Sequence, residues 1–399
     1  MANRSSILLS PSHHILQSMN AAVVLQIQEL CDYIAHFLDG SCTDLKSCAL
    51  VSPRLSSAAQ RWLFRDVTLL RGCASIDSPY PHHQRNSDGE AAACRRFCSV
   101  LAASPHLLPF VRRLRVTFSH EAAVKQLSVV KFPNLAEVVF DRGLGACATQ
   151  ASLTAMADII RLPSIRRVGL LQPTFQKLRD FSRLFAACTP HFESLYIHSL
   201  EVHSHPRDAV LIPARPVITQ LHLGSHRGDV LQGALSIFDF SKLEELRCNI
   251  EFLCSHDAEL LGPSLTRLKI NSSSAVSPYC PPLLALKRLS GLKTLEIQVM
   301  CRAVADIDMV LARLPQLTRL ELVTLEILHP ELLDPRTRLL KLRHLGTAVA
   351  GTTLPPRARI QILLPVLTCH NPLRVEIQQQ ILATFAVFAT NRQAEVILI

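Results

Sequence analysis

The chain has 399 residues, 48% hydrophobic and 19% charged with 13 Gly, a composition too apolar for disorder and too poor in Gly for a collagen-like rod. Aromatic residues make up only 5%, so aliphatic side chains must carry the core, and stacking platforms for single-stranded nucleic acid are not expected. The net charge of +10 is regional: residues 100–199 hold twelve Lys and Arg against six Asp and Glu, set singly within apolar patterns rather than gathered in a basic tail, which speaks against nucleic acid as a partner.

Residues 1–19, with Ser, His and Pro11, read as a flexible tail. Residues 20–70 then hold three short segments of helical periodicity. The first, 29–38, places Leu30, Ile34, Phe37 and Leu38 on one face; the second, 44–51, places Leu45 and Cys48 there; the third, 54–64, places Leu55, Ala58, Ala59 and Leu63 there. Asp44 suits a helix start and Gly40 a helix end. Three helices in so few residues bury too little to stand alone and must lean on a neighbour.

The order Glu29-Leu30, Ile34, Leu38, then Asp44-Leu45, Cys48, Leu50-Val51-Ser52, then Arg61, Leu63-Phe64-Arg65, Val67-Thr68-Leu69 resembles the F-box family. Gln26 and Ile27 stand where that family carries Leu-Pro, and Leu55 where a Trp is often found. The resemblance implies a helical bundle that docks on the Skp-type adaptor of a cullin ubiquitin ligase. It also implies apolar contact through Leu30, Ile34, Leu45, Leu50 and Val51; the alternative is that these five form only the bundle's own core. Residues 71–100, with Pro79, Pro81, Asn86, Asp88 and Gly89, read as a loop and linker.

From residue 101 to 399 one phrase recurs: hydrophobic, two variable, hydrophobic, one variable, hydrophobic. Its copies are Val111/Leu114/Val116, Leu135/Val138/Phe140, Ile165/Val168/Leu170, Phe192/Leu195/Ile197, Ile218/Leu221/Leu223, Leu243/Leu246/Cys248, Leu265/Leu268/Ile270, Leu292/Leu295/Ile297, Leu317/Leu320/Leu322 and Leu342/Leu345/Thr347, at steps of 22 to 30 residues. Pro stands two residues ahead of seven of the ten copies, where 24 Pro in 399 residues predict fewer than one. Lacking an N–H, Pro ends a helix and hands the chain to an extended strand. Between copies, 152–162, 175–188 and 303–314 have helical periodicity. Strand and helix alternating at this period predict an α/β solenoid; an ordinary α/β domain with parallel strands shares the alternation but not the proline phase. The phrase resembles the leucine-rich repeat family in degenerate form, and residues 104–116 resemble the start of the repeats in fungal F-box-like proteins, in which bundle and repeats together imply a substrate receptor.

Along such a strand the second and third hydrophobics point inward, and the residues beside them face the open side of the sheet. That row includes Arg115, Tyr196, His222, Arg247, Lys269, Glu296 and Glu321, a candidate surface for a protein partner or else a plain solvated face.

Thirteen Cys in no even framework, and a start without a charged-then-apolar leader, predict reduced thiols and a place in the cytoplasm or nucleus. The strongly apolar stretch 381–389 is far short of the roughly 20 residues that a membrane span needs. Zinc-site Cys/His spacing, phosphate loops and hydrolase motifs are absent, so neither metal, cofactor nor catalytic residue is expected. The leading expectation is a non-catalytic receptor, bundle on the adaptor and repeats on a target. The alternative is a repeat scaffold whose bundle is only a cap.

Overall fold

The structure, a computed structural model, describes residues 27–69, 87–117, 121–141, 148–186, 188–203, 215–224, 235–253, 261–272, 288–300, 310–328, 340, 344, 347–349, 352–364, 379 and 394–398. The expected tail at 1–19 lies outside them.

Helices α1 (Gln28–Phe37), α2 (Cys42–Cys48) and α3 (Pro53–Leu63) form the first unit. Their small core holds Cys31, Ala35, Leu45, Leu55, Ala58 and Ala59. The cap of α2 is Ser41 rather than Asp44: its hydroxyl accepts from the Asp44 N–H at 3.4 Å and donates to the Asp44 carboxylate at 2.5 Å. Ser52 caps α3, its hydroxyl accepting from the Leu55 N–H at 3.2 Å, with Pro53 in the first turn. Gly40, at φ +102, lets the chain reverse after α1. Arg61 of α3 pairs with Asp32 of α1 at 3.0 Å.

Strand β1 (Asp66–Thr68) leaves the bundle and joins the sheet. Residues 71–100 were expected to be linker, but 87–103 form helix α4 (Ser87–Ala103), which buries Cys94, Phe97 and Leu101 in the main core. Its apolar residues recur every three to four positions, a signal hidden by the polar run ahead of it.

The repeat region begins with β2 (Arg113–Thr117) and α5 (Glu121–Ser128), then β3 (Glu137–Asp141) and α6 (Gln150–Ile160). β4 (Arg167–Leu171), β5 (Thr174–Phe175) and α7 (Leu178–Phe185) follow, then β6 (Ser194–His198), β7 (Glu201–Val202) and β8 (Gln220–Leu223). β9 (Glu245–Asn249), the single turn α8 (Ile250–Leu253), β10 (Arg267–Ser272) and β11 (Thr294–Met300) come next, and β12 (Leu322–Leu328), β13 (Arg359–Leu364) and β14 (Ala394–Leu398) complete the described strands. Twelve of these strands make one parallel sheet in near-sequential order, with β5 and β7 paired apart from it. This is an α/β solenoid.

In the first eight copies of the phrase the register follows the expectation: Leu114, Val138, Val168, Leu195, Leu221, Leu246, Leu268 and Leu295 line up across neighbouring strands. These side chains are essentially fully buried, as are the third hydrophobics two residues on. Three of the Pro have a sharper role than stopping a helix. Pro163, Pro190 and Pro263 are the second residues of turns closed by N–H donation from Ile165, Phe192 and Leu265 to Leu162, Thr189 and Gly262, where a fixed φ is an advantage.

The last two copies are corrected. β12 pairs Val323, not Leu320, with Leu295, a slip of three residues. The run Val323, Leu325, Ile327 buries three side chains in period two, while Leu320 is buried in the turn before it. Of the tenth copy, Leu342 and Leu345 lie outside the described residues; Thr347 is helical rather than extended, and the next described strand is β13.

Short polar side chains ahead of the strands tie neighbouring coils together. Asn134, Thr219, Ser264 and Thr266 donate to the carbonyls of Pro109, Glu193, Leu243 and Glu244 in the preceding coil, at 2.8 to 3.2 Å.

Phe181 has no exposed surface and touches the rings of Phe175, Phe185 and Phe238. Phe181→Ala should therefore lower stability by about 3–5 kcal/mol in denaturant melts. Leu50→Ala, at a site 89% exposed, should stay within about 0.5 kcal/mol.

Candidate functional site

Because side chains alternate along each strand, burying one set sends the other to the open face of the sheet. Arg115, Val139, Gly169, Tyr196, His222, Arg247, Lys269 and Glu296 line up there strand by strand. Thr324 continues the row in the place expected for Glu321. Glu321 lies one residue ahead of β12, 3.9 Å from Lys293.

The middle of this face is a groove of about 720 Å³, with Tyr196, His222 and Arg247 among its lining residues. Lys269 and Glu296 lie beyond it, paired with each other at 3.0 Å. The groove has Gly169 of the same row on its floor and also takes in residues that the phrase did not single out: His198, Asn249 and Asn271, one alternation further along their strands. The phrase stops at the third hydrophobic; carrying the period of two one step further finds His198 and Asn249.

Two glycines shape this face. A Cβ at Gly169 would meet Val139 Cγ2 at 3.0 Å, so the floor is as low as the backbone allows. At Gly224 a Cβ would fall 2.0 Å from His198 Nδ1, so only glycine leaves room for that ring.

Carboxylates and cations alternate along the row at the start of the strands. Arg113 lies 3.5 Å from Asp66 and 3.6 Å from Glu137, and Arg167 lies 3.9 Å from Glu137. Further on, Glu245 is 3.5 Å from Arg267 and 3.7 Å from His222. Such half-exposed pairs contribute about 0–1 kcal/mol each and mainly order the side chains. Arg115 and Asp141, 3.0 Å apart, are far better buried, with side chains 16% and 4% exposed. Breaking that pair would strand a charge.

Burial, opposed by Asp141, holds His198 below its ordinary pKa, and burial opposed by Glu245 does the same to His222. Burial raises the Tyr196 phenol, against the pull of Arg247 and Arg115.

On the bundle, the five residues expected at an adaptor surface separate. Leu45 is 3% exposed and belongs to the bundle's own core, which corrects its expected place on the surface. Ile34 packs partly against that core, and Leu30 is half-buried. Leu50 and Val51, in the turn between α2 and α3, are 89% and 61% exposed. Tyr33 and Phe37, one helical turn apart on α1, are 68% and 80% exposed; neither was among the five.

Among the described residues, no group of three or more His, Cys, Asp or Glu is placed to hold a metal, and no helix is long and apolar enough to cross a membrane. Burial pushes the Cys188 thiol up to about 12.

No protein-family profile matches the chain, and no curated protein matches it. Among solved structures it is similar to the leucine-rich repeat-containing protein LegL7 from Legionella pneumophila, at 12% identity and a TM-score of 0.37, over 72% of this chain and 85% of that chain. So distant a likeness carries no functional weight; the solenoid stands on the register of the chain's own strands.

Since folding makes His198 and His222 harder to protonate, the unfolded chain binds more protons in mild acid. Their contribution to stability is complete above the ordinary imidazole pKa and is lost as pH falls through the lowered folded values. The doubly substituted protein (His198→Gln, His222→Gln) should show a smaller drop in melting temperature than wild type between about pH 7.5 and about pH 5.

Proposed function

We propose that this protein is a non-catalytic receptor: the N-terminal bundle docks on a Skp-type adaptor of a cullin ubiquitin ligase, and the groove on the sheet holds a target protein. The observation that carries this reading is the exposure of Tyr33, Phe37, Leu50 and Val51 on one small bundle. Large apolar side chains left in water mark a contact surface more often than a defect. A cap that merely shielded the first coil would need to be apolar only on its inner side.

The bundle is also fixed to the repeats. β1 extends the sheet, and Phe64 and Val67 pack against the main core. Two binding surfaces on one body would hold a target near the ubiquitin-transfer site, so the rate gain would come from proximity rather than from chemistry by any residue here. Such a role belongs in the cytoplasm or nucleus. A second reading, a repeat scaffold whose bundle acts only as a cap, draws on the same β1 pairing, which covers the edge of the first repeat.

The test is a pull-down of the purified full-length chain and its doubly substituted form (Leu50→Asp, Val51→Asp) with Skp-type adaptor. Both positions are exposed, so circular dichroism and melting temperature should be nearly unchanged. Wild-type retention with at least a tenfold loss in the variant is expected; a folded wild-type chain that is not retained would leave the cap reading.

A further inference from the structure

We infer that a cleft on the rim of the sheet, where the chain enters β2, β3 and β4, binds a phosphate group. The cleft belongs neither to the bundle nor to the groove on the open face, so the inference goes beyond the receptor reading and does not depend on it.

Backbone stacking builds the cleft. The residues just ahead of β2, β3 and β4 are Arg112, Ala136 and Arg166. The Arg112 carbonyl accepts the N–H groups of Ala136 and Glu137, and the Ala136 carbonyl accepts those of Arg166 and Arg167, at 2.8 to 3.0 Å. The three residues are therefore stacked in the order Arg, Ala, Arg. Neighbouring strands stand ~4.8 Å apart, which puts the two arginine backbones roughly 10 Å from each other with only a methyl group between them. The space left open is a cleft of about 380 Å³. Arg112 and Arg166 both line it, and the turns ahead of β3, β4 and β6 add Asn134, Ser164 and His191.

The charges around this cleft favour an anion. Neither Asp nor Glu is among its lining residues. Arg112 is exposed and has no ion pair among the described residues. Arg166 meets Glu193 at 3.6 Å through Nη1, with both side chains about half exposed, so the contact is weak and its other nitrogens remain available. Glu137, next to Ala136, is shared by Arg113 and Arg167. Asn134 donates one amide hydrogen to the Pro109 carbonyl and keeps a second. Two guanidiniums on either side of one gap suit the oxygens of a phosphate. The rest of the rim limits the ligand's size. Ahead of β6, β8 and β9 the row continues as Glu193, Thr219 and Glu244, so the positive stretch ends after a single gap. A nucleic-acid backbone needs a run of cations, whereas this row suits one phosphate.

The experiment titrates the full chain at low salt with inorganic phosphate, read by calorimetry, and with labelled hexapeptides, read by fluorescence anisotropy. One peptide is a serine hexapeptide carrying one phosphoserine; the other is unmodified hexaserine. Saturable binding of at least one phosphate probe is expected, and none of hexaserine. Phosphopeptide binding tighter than inorganic phosphate by tenfold or more would identify a phosphorylated side chain as the source; otherwise the source is the free ion. Arg112→Gln and Arg166→Gln should each weaken binding roughly fivefold or more, with unchanged melting temperature because both side chains are exposed. Ala136→Glu, which sets a carboxylate between the two arginines, should abolish saturation. Lys293→Gln removes a rim cation that lies outside the cleft, 3.9 Å from Glu321, and should leave binding within about twofold. Failure of both phosphate probes to saturate, equal binding of hexaserine, either arginine variant binding like wild type, or an equal loss in Lys293→Gln would overturn the inference. Adaptor retention reports on the bundle alone, so the receptor reading stands or falls separately.

Discussion

One backbone contact repeats through the molecule and everything else hangs on it. The carbonyl just ahead of nine strands of the main sheet, from β1 to β11, accepts two consecutive N–H groups from the next coil. Arg65 receives Arg112 and Arg113; Arg112 receives Ala136 and Glu137; Ala136 receives Arg166 and Arg167; and the same rung recurs at Arg166, Glu193, Thr219, Glu244, Thr266 and Lys293. Each rung sets the offset between neighbouring strands, and hence the face to which every side chain points. A coil alone could not bury its apolar face; stacked through these rungs, the coils share one core. The first rung is made by Arg65, at the exit of the helical bundle, so bundle and solenoid are joined by the same bond that joins one coil to the next.

With the inward set committed to packing, the outward set is free to carry chemistry. The strands bury Leu, Val, Ile and Phe with little interruption, while the open face between β3 and β10 changes from acid to base to aromatic to amide within a few strands. A change on that face costs the fold little, and a change beneath it costs a great deal. The bundle is divided in the same way: Leu45 and Leu55 hold its interior, and Tyr33, Phe37, Leu50 and Val51 lie outside it.

Much of this was legible in the sequence, for physical reasons. Eight copies of the phrase were in the right register because the core needs the apolar triple there, and in six of them a Pro two residues ahead marks the same phase. At Leu317/Leu320/Leu322 two alternating patterns overlap, and the longer run, Val323, Leu325 and Ile327, takes the strand. At the tenth copy, which has no Pro ahead of it, the described Thr347 lies in a helix. β1 carries the phrase as Phe64/Val67/Leu69, with Val67 opposite Leu114, but it lies inside the stretch read as bundle, while β13 carries none and is placed by pairing alone. Of the candidate site, Tyr196, His222 and Arg247 were legible from alternation. Leu45 was open to both readings, adaptor contact or bundle core, and burial places it in the core, while His198 and Gly169 matter only because neighbouring strands bring them together.

In the proposed receptor one continuous body presents two separate surfaces, an apolar one on the bundle for the adaptor and a polar one on the sheet for the target. Hydrogen exchange of the full chain, followed by mass spectrometry with and without a saturating Skp-type adaptor, tests it most directly. Added protection should be confined to peptides covering α1 and the turn between α2 and α3, with the strands from β3 to β10 exchanging as before. Protection of the groove strands instead, or no change in the bundle under conditions where the adaptor is bound, would contradict it.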